Sequence, residues 1–212
     1  MSRRSLLVRA VAMGALWCAL APLHAAEAID ASSPQKLIET SSKALLADLD
    51  AHRAAYRKDI SGLYKVVDMQ FLPHVDVPFA ARQVLGAHWK DATPEQRQRF
   101  SDALYHTLLT TYGKALLEFT GEQLKVLPFQ GDPAADRATV RTVVHTSSGS
   151  DVSVNYSLHK TDTGEWKVWD VIIEGISYVH SFRDDFGQEI DQKGLNELLD
   201  RLEKGQLPVK HQ

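Results

Sequence analysis

Trp166-Lys167-Val168-Trp169-Asp170-Val171-Ile172-Ile173-Glu174-Gly175-Ile176-Ser177-Tyr178-Val179-His180-Ser181-Phe182-Arg183-Asp184-Asp185-Phe186 is the stretch whose reading decides the fold. Its first half is too rich in β-branched and aromatic residues for a helix surface and short enough for one strand. Gly175 then breaks the apolar run, Ser177 can cap a helix, and Tyr178, Phe182 and Phe186 recur every four residues. The strand therefore passes directly into an amphipathic helix. Trp166, Val168 and Ile172 need one covering layer and Trp169, Val171 and Ile173 another, because alternate residues of a strand face opposite ways. The rest of the chain must supply both.

Immediately upstream the pattern has period two. Gln123 to Phe129 reads as a first strand, Ala138 to Thr146 as a second, and Val152, Val154, Tyr156 and Leu158 alternate with Ser153, Asn155, Ser157 and His159 in a third; the Trp166 strand is the fourth. Ser147-Ser148-Gly149 suits a three-residue hairpin loop with Gly149 left-handed, which pairs Val144 with Val152, Val140 with Tyr156 and Ala138 with Leu158. A four-residue loop over Thr161 to Gly164 pairs Tyr156 with Trp169, Val154 with Val171 and Val152 with Ile173. Both registers put the apolar residues of three strands on one face.

Helices flank this meander. Ser32-Ser33-Pro34-Gln35 starts one that carries Leu37, Ile38, Leu45 and Leu49 to about Arg57. A shorter one holds Leu63, Val66, Val67 and Met69 up to Pro73, and a third runs from about Val77 to Leu85 and stops at Gly86. Thr93-Pro94-Glu95-Gln96 opens the longest, to about Phe119, with Phe100, Leu104, Leu108, Tyr112 and Leu116 along one face; it is long enough to lie across a whole sheet. After Phe182 to Ile190 and a break at Gly194, Leu195, Leu198, Leu199 and Leu202 form the last. The class is α+β, with helices packed on a twisted antiparallel sheet of about four strands.

Residues 1–25 read as a cleaved export signal: Arg3, Arg4 and Arg9 make a basic start, the run from Ala10 to Leu23 is largely apolar, and Leu23-His24-Ala25 offers a small residue at the cut. Cleavage after Ala28 is the close alternative, and the choice between the general and the twin-arginine route stays open. The run is too short for a membrane anchor and contains Pro22. Residues 26–212 then form one domain without a thiol, since Cys18 is the only cysteine, and their 21 Lys+Arg against 27 Asp+Glu give a net charge of −6. That balance excludes nucleic acid and adsorption to anionic lipid, and no later run is long enough to span a membrane. The expected protein is soluble and periplasmic.

Signals for chemistry are few. None of the eight histidines after the signal has another four residues away, so they read as surface or cap residues, and no metal site is expected. Phosphate-cradling loops and dinucleotide fingerprints are absent, and Glu174-Gly175-Ile176-Ser177 lacks the paired glycines of a nucleophile elbow. Asp170 reads as a structural hydrogen-bond acceptor; as a buried general base it is the one enzyme alternative. Arg183 sits in a charged helix surface, where it could meet a lipid phosphate or a partner.

Two separated stretches carry a family resemblance: Leu85-Gly86-Ala87-His88-Trp89 with Thr93 to Phe100, Leu108 and Thr111-Tyr112, and Trp166-x-Val-Trp-Asp-Val followed by Glu174-Gly-x-Ser, Arg183 and Phe186. In that order they resemble the motifs of the MlaC-type periplasmic phospholipid-binding proteins, the toluene-tolerance auxiliary family. The resemblance extends from Leu37 to Leu202. Departures are Asp184-Asp185, where the family more often has small or amide residues, and Tyr178, where it has an aliphatic one. It implies a curved sheet and helices enclosing a hydrophobic pocket for phospholipid tails, with no cofactor and no catalysis. Carried onto this chain, the pocket lining is Phe100, Leu104, Leu108 and Tyr112 of the long helix and Val140, Val144, Val152, Val154, Tyr156, Trp169, Val171 and Ile173 of the sheet. The implied function is a lipid carrier between an inner-membrane ABC transporter complex and an outer-membrane lipoprotein with its porin, maintaining outer-membrane lipid asymmetry. A periplasmic adaptor with a solid core is the third reading.

Overall fold

The computed structural model describes residues 29–119, 124–132, 134–146 and 149–207; residues 1–25, expected to be an export signal, and Ser147-Ser148 of the expected hairpin loop lie outside them. Helix α1 (Pro34–Lys58) starts at Ser33, one residue later than the sequence pattern indicates, with the Ser33 hydroxyl accepting from the Lys36 amide. Helix α2 (Ser61–Val66) widens into a π-helical turn over Val67–Phe71 and closes in a 3-10 turn over Leu72–His74. Helix α3 (Val77–Leu85) ends at Gly86, whose φ of 54° suits glycine. Helix α4 (Pro94–Tyr112) opens on a reciprocal capping box between Thr93 and Gln96 and tightens into a 3-10 turn over Gly113–Glu118, so the long helix is shorter than its apolar stripe.

Five strands come next in sequence order, each antiparallel to its successor: β1 (Leu124–Val126), β2 (Arg137–His145), β3 (Asp151–Lys160), β4 (Trp166–Ile173) and β5 (Ile176–Ser177). The fifth comes from the Glu174-Gly175 turn, where both residues have positive φ, 50° and 81°, as a two-residue hairpin requires. Ser177 ends β5 and also caps helix α5 (Tyr178–Lys193), accepting from the His180 amide at 3.0 Å. Helix α6 (Leu195–Glu203) completes the described chain.

The β2–β3 register is the expected one, with Val144 opposite Val152, Val140 opposite Tyr156 and Ala138 opposite Leu158. The β3–β4 register differs by two. Lys160 pairs with Trp166, so the loop has one more residue than Thr161 to Gly164, and between Leu158↔Val168 and Ser157↔Asp170 Trp169 has no partner and forms a bulge. Each one-residue shift alone would turn Val171 and Ile173 to the opposite face, and together they cancel. Tyr156 consequently faces Val171, and Val154 faces Ile173.

Three hydrophobic clusters hold this together. Leu37 and Ile38 of α1 cover Val140, Leu158 and Trp166 on one face of the sheet, the inner face. Leu46, Leu49 and Tyr56, farther along α1, pack with Leu63 and Leu117. The largest cluster is all-helical: Ala81, Val84 and Leu85 of α3, Phe100, Ala103 and Leu104 of α4, Val179, Phe182 and Phe186 of α5, and Leu198, Leu199 and Leu202 of α6. It meets the outer face at β4 through Trp169, and α3 also reaches the end of β3, where Phe79 stacks on His159 with ring centroids 4.1 Å apart. The helix that crosses the sheet is therefore α1. The expectation for α4 fails because its stripe is used up against α3 and α6.

Candidate functional site

Val144, Val152, Val154, Tyr156, Val171 and Ile173 share the inner face through the paired registers of β2, β3 and β4. Val152, Val154, Val171 and Ile173 are only half-buried, and none belongs to any of the three clusters or packs at their margins. A contiguous apolar wall that, among the described residues, lies beside the buried clusters without joining them is what a binding site presents. Tyr156 stands where this wall meets the packed part of the sheet. Desolvation pushes its phenol above the ordinary range, against the opposing pull of a hydrogen bond with Thr142, although the side chain keeps accessible surface.

Of the other expected lining residues, Phe100 and Leu104 are 0% and 3% exposed inside the helical cluster, where Phe100 meets Phe186 edge to face at 6.1 Å. Val140 is sealed beneath Leu37 and Ile38. None of these three offers a cavity any surface, which corrects their assignment. Trp169 is corrected as well: its bulge takes it out of the alternation, and its ring lies edge-on to Phe79 at 5.6 Å in the helical layer. Val144 is buried at the base of the wall. Leu108 lies at the margin of the helical cluster, and Tyr112 is exposed at the end of α4 against Tyr178, ring to ring at 5.8 Å. Burial, with Tyr178 as a lesser cause, raises the Tyr112 phenol.

Sequence reasoning missed the exposure of three apolar side chains. Met69, Tyr112 and Ile176 are the large hydrophobic side chains exposed among the described residues. Tyr178, which Tyr112 touches, is two residues from Ile176, and Asp68, next to Met69, accepts the Tyr105 hydroxyl two helical turns before Tyr112. No sequence signal marked this exposure: Met69 reads with the apolar residues of the second helix and Tyr112 with the stripe of the long one.

The chemically interesting side chains have structural partners. Asp170 accepts from Ser177 Oγ at 2.6 Å and from the Val179 amide at 3.0 Å, joining β4 to the first turn of α5. His159 is a tie and not a surface residue, with Nε2 2.9 Å from an oxygen of Asp76, the residue that caps α3. Arg183 donates to the backbone carbonyl of Gln83 and to its side chain. Among the described residues no three His, Cys, Asp or Glu side chains gather as a metal site would need.

The family model described as "MlaC protein" matches residues 39–204, which spans α1 through α6 and both sequence motifs. The chain belongs to the MlaC family. Among curated MlaC-like relatives, the toluene tolerance protein ttg2D of Pseudomonas putida is 31% identical over 175 residues, covering 81% of this chain and 80% of the relative. The intermembrane phospholipid transport system binding protein MlaC of Haemophilus influenzae is 22% identical over 179 residues, 84% of each. A phospholipid-binding protein from Ralstonia solanacearum, solved in complex with a phospholipid, matches with a TM-score of 0.75 and 25% identity, over 82% of this chain and 97% of that one. The α+β fold and the family that the two motifs imply are thus both found.

Proposed function

We propose that this MlaC-family protein is a periplasmic phospholipid carrier, exported by the signal in residues 1–25, that holds acyl tails against the inner face of the sheet. The observation that carries the reading is the half-buried wall of Val152, Val154, Val171 and Ile173 beside the desolvated Tyr156, in a fold whose solved neighbour was captured with a phospholipid. Each buried CH₂ is worth about 0.8 kcal/mol, so bringing two tails through water opposes transfer by on the order of 20 kcal/mol. Apolar side chains that replace lipid neighbours remove most of that barrier, while the phosphate head remains in water. No helix among the described residues is long and apolar enough to cross a membrane. Loading and unloading then fall to membrane-bound partners, an inner-membrane ABC transporter complex and an outer-membrane lipoprotein with its porin, in the service of outer-membrane lipid asymmetry.

Catalysis has no part in this reading, because the two bonds of Asp170 are spent on the start of α5. Organic extraction of the purified protein followed by mass spectrometry is the test. Intact phospholipid at one molecule per chain is expected; a protein that carries none after mild purification, and takes up none from vesicles, overturns the reading.

A further inference from the structure

Helix α1 covers the inner face of the sheet; α5 reaches the outer face at β4, and α3 reaches it at β4 and at His159 near the end of β3. Away from His159, no helix among the described residues covers the outer face of β1–β3, and its composition is one-sided. Arg137, Thr139, Arg141 and Val143 of β2 alternate onto it, opposite His159, Ser157, Asn155 and Ser153 of β3, with Lys125 of β1 opposite Val143. Lys125, Arg137 and Thr139 are exposed and Arg141 half-exposed. No Asp or Glu of β1–β3 falls on this face between its ends. The acids at its margins are engaged: Asp76 with His159 at 2.9 Å, Asp151 with His145 at 2.7 Å, Asp136 with Lys160 at 3.5 Å, Asp132 with the Ala134 amide at 2.8 Å, and Glu174 with the Ser153 amide.

Elsewhere several arginines of the helices have found carboxylates, as Arg53 with Asp50, Arg99 with Glu203 and Arg201 with Glu189. Among the described residues no ion pair engages Lys125, Arg137 or Arg141. A groove of about 320 Å³ opens at the Arg137 end, where Thr139, Ser157 and Gln130 add hydrogen-bonding groups and Trp169 an apolar floor.

We infer that this outer face is a docking surface for an acidic patch on a protein partner. Strand geometry separates Arg137 from Arg141 by four residues, about 13 Å, too far for both to clasp one phosphate but suited to carboxylates spaced along a protein surface. The acidic balance of the rest of the chain repels an anionic membrane and orients this one basic face toward such a partner. The inference rests on the carrier reading, since it concerns how that carrier is recognised, and it places recognition on the face of the sheet opposite the lipid wall.

The test immobilises the inner-membrane ABC transporter complex, and separately the outer-membrane lipoprotein complex, in phosphatidylcholine nanodiscs and measures association of the exported protein. Reversal in Arg137→Glu/Arg141→Glu is expected to slow association with at least one complex by about tenfold at low salt and to flatten its salt dependence, because charges outside a packed interface act mainly on the on-rate. Arg137→Gln/Arg141→Gln should fall between. Lipid content and the thermal midpoint, read on the same preparations, should match the unaltered protein; if reversal lowers the midpoint, the Gln pair carries the comparison. Unchanged association overturns the inference, as does failure of the unaltered protein to bind either complex. Lipid content judges the carrier reading separately in each case. Loss of retention on phosphatidylglycerol vesicles, with binding to both complexes intact, would assign the face to membrane and also overturn it.

Discussion

Val154 and Phe100 are both apolar residues from the most regular parts of the sequence, and the structure gives them opposite surroundings. Phe100 is fully enclosed against Phe186, whereas Val154 keeps accessible surface on the inner face. Val154→Phe therefore adds volume where space exists, and the lipid-free protein should escape the ~1–3 kcal/mol that overpacking a dense interior imposes. Lipid recovered by extraction should fall. Phe100→Ala should instead lower stability by about 3–5 kcal/mol in urea unfolding, and the protein that remains folded should keep its lipid. Similar losses of stability in both variants, with lipid unaffected in each, would move the pocket away from β3. Leu108, which the sequence places in the same lining, packs at the margin of the helical cluster and should behave more like Phe100 than like Val154.

At the scale of the element, β4 shows how a local irregularity serves two layers. The added loop residue and the bulge at Trp169 compensate in register, so Val171 and Ile173 stay on the inner face while Trp169 turns outward to Phe79. Trp169→Ala should remove that outward anchor without altering the wall. The expected loss is about 2–3 kcal/mol, below the usual figure for a large aromatic because the ring is only half-buried, and extracted lipid per folded chain should be unchanged. A variant that unfolds normally but has lost its lipid would return Trp169 to the pocket. Caps, the Gly86 stop and the Gly149 hairpin were legible in the sequence because each depends on residues a few positions apart. The bulge was not, because two compensating shifts leave the alternation of apolar residues looking undisturbed.

For the whole molecule, the tyrosines set a limit on the alkaline side. Burial, and after it the hydrogen bond to Asp48, pushes the Tyr56 phenol up to about 12, and burial likewise raises Tyr105, Tyr112 and Tyr156. Below the ordinary phenol value of 10.0 these groups are protonated in folded and unfolded chains alike, and their contribution to stability is fully present. As pH rises from 10 toward 12 the unfolded chain loses protons that the folded chain retains, so unfolding becomes easier. Urea midpoints should fall steadily over that range, and Tyr56→Phe, which removes one of the responsible phenols, should make the fall shallower. A flat profile up to about pH 12 would show that the tyrosines ionise as freely in the fold as outside it.

The sequence by itself determined the order and type of the main elements, though not the two-residue β5 or the π-helical turn after α2, together with the β2–β3 register and the family, because period, capping and motif spacing are written in neighbouring residues. It could not determine which helix crosses the sheet. The stripes of α1 and α4 are equally apolar, and only the packing of the assembled chain sends Leu37 and Ile38 onto Val140 and Leu158 while enclosing Phe100 and Leu104 among α3, α5 and α6. The same limit hid the site. A residue that fills a core and one that lines a cavity obey the same pattern of hydrophobicity, and the two part company only when distant segments either meet over a side chain, as over Val140, or leave it half-exposed, as with Val154.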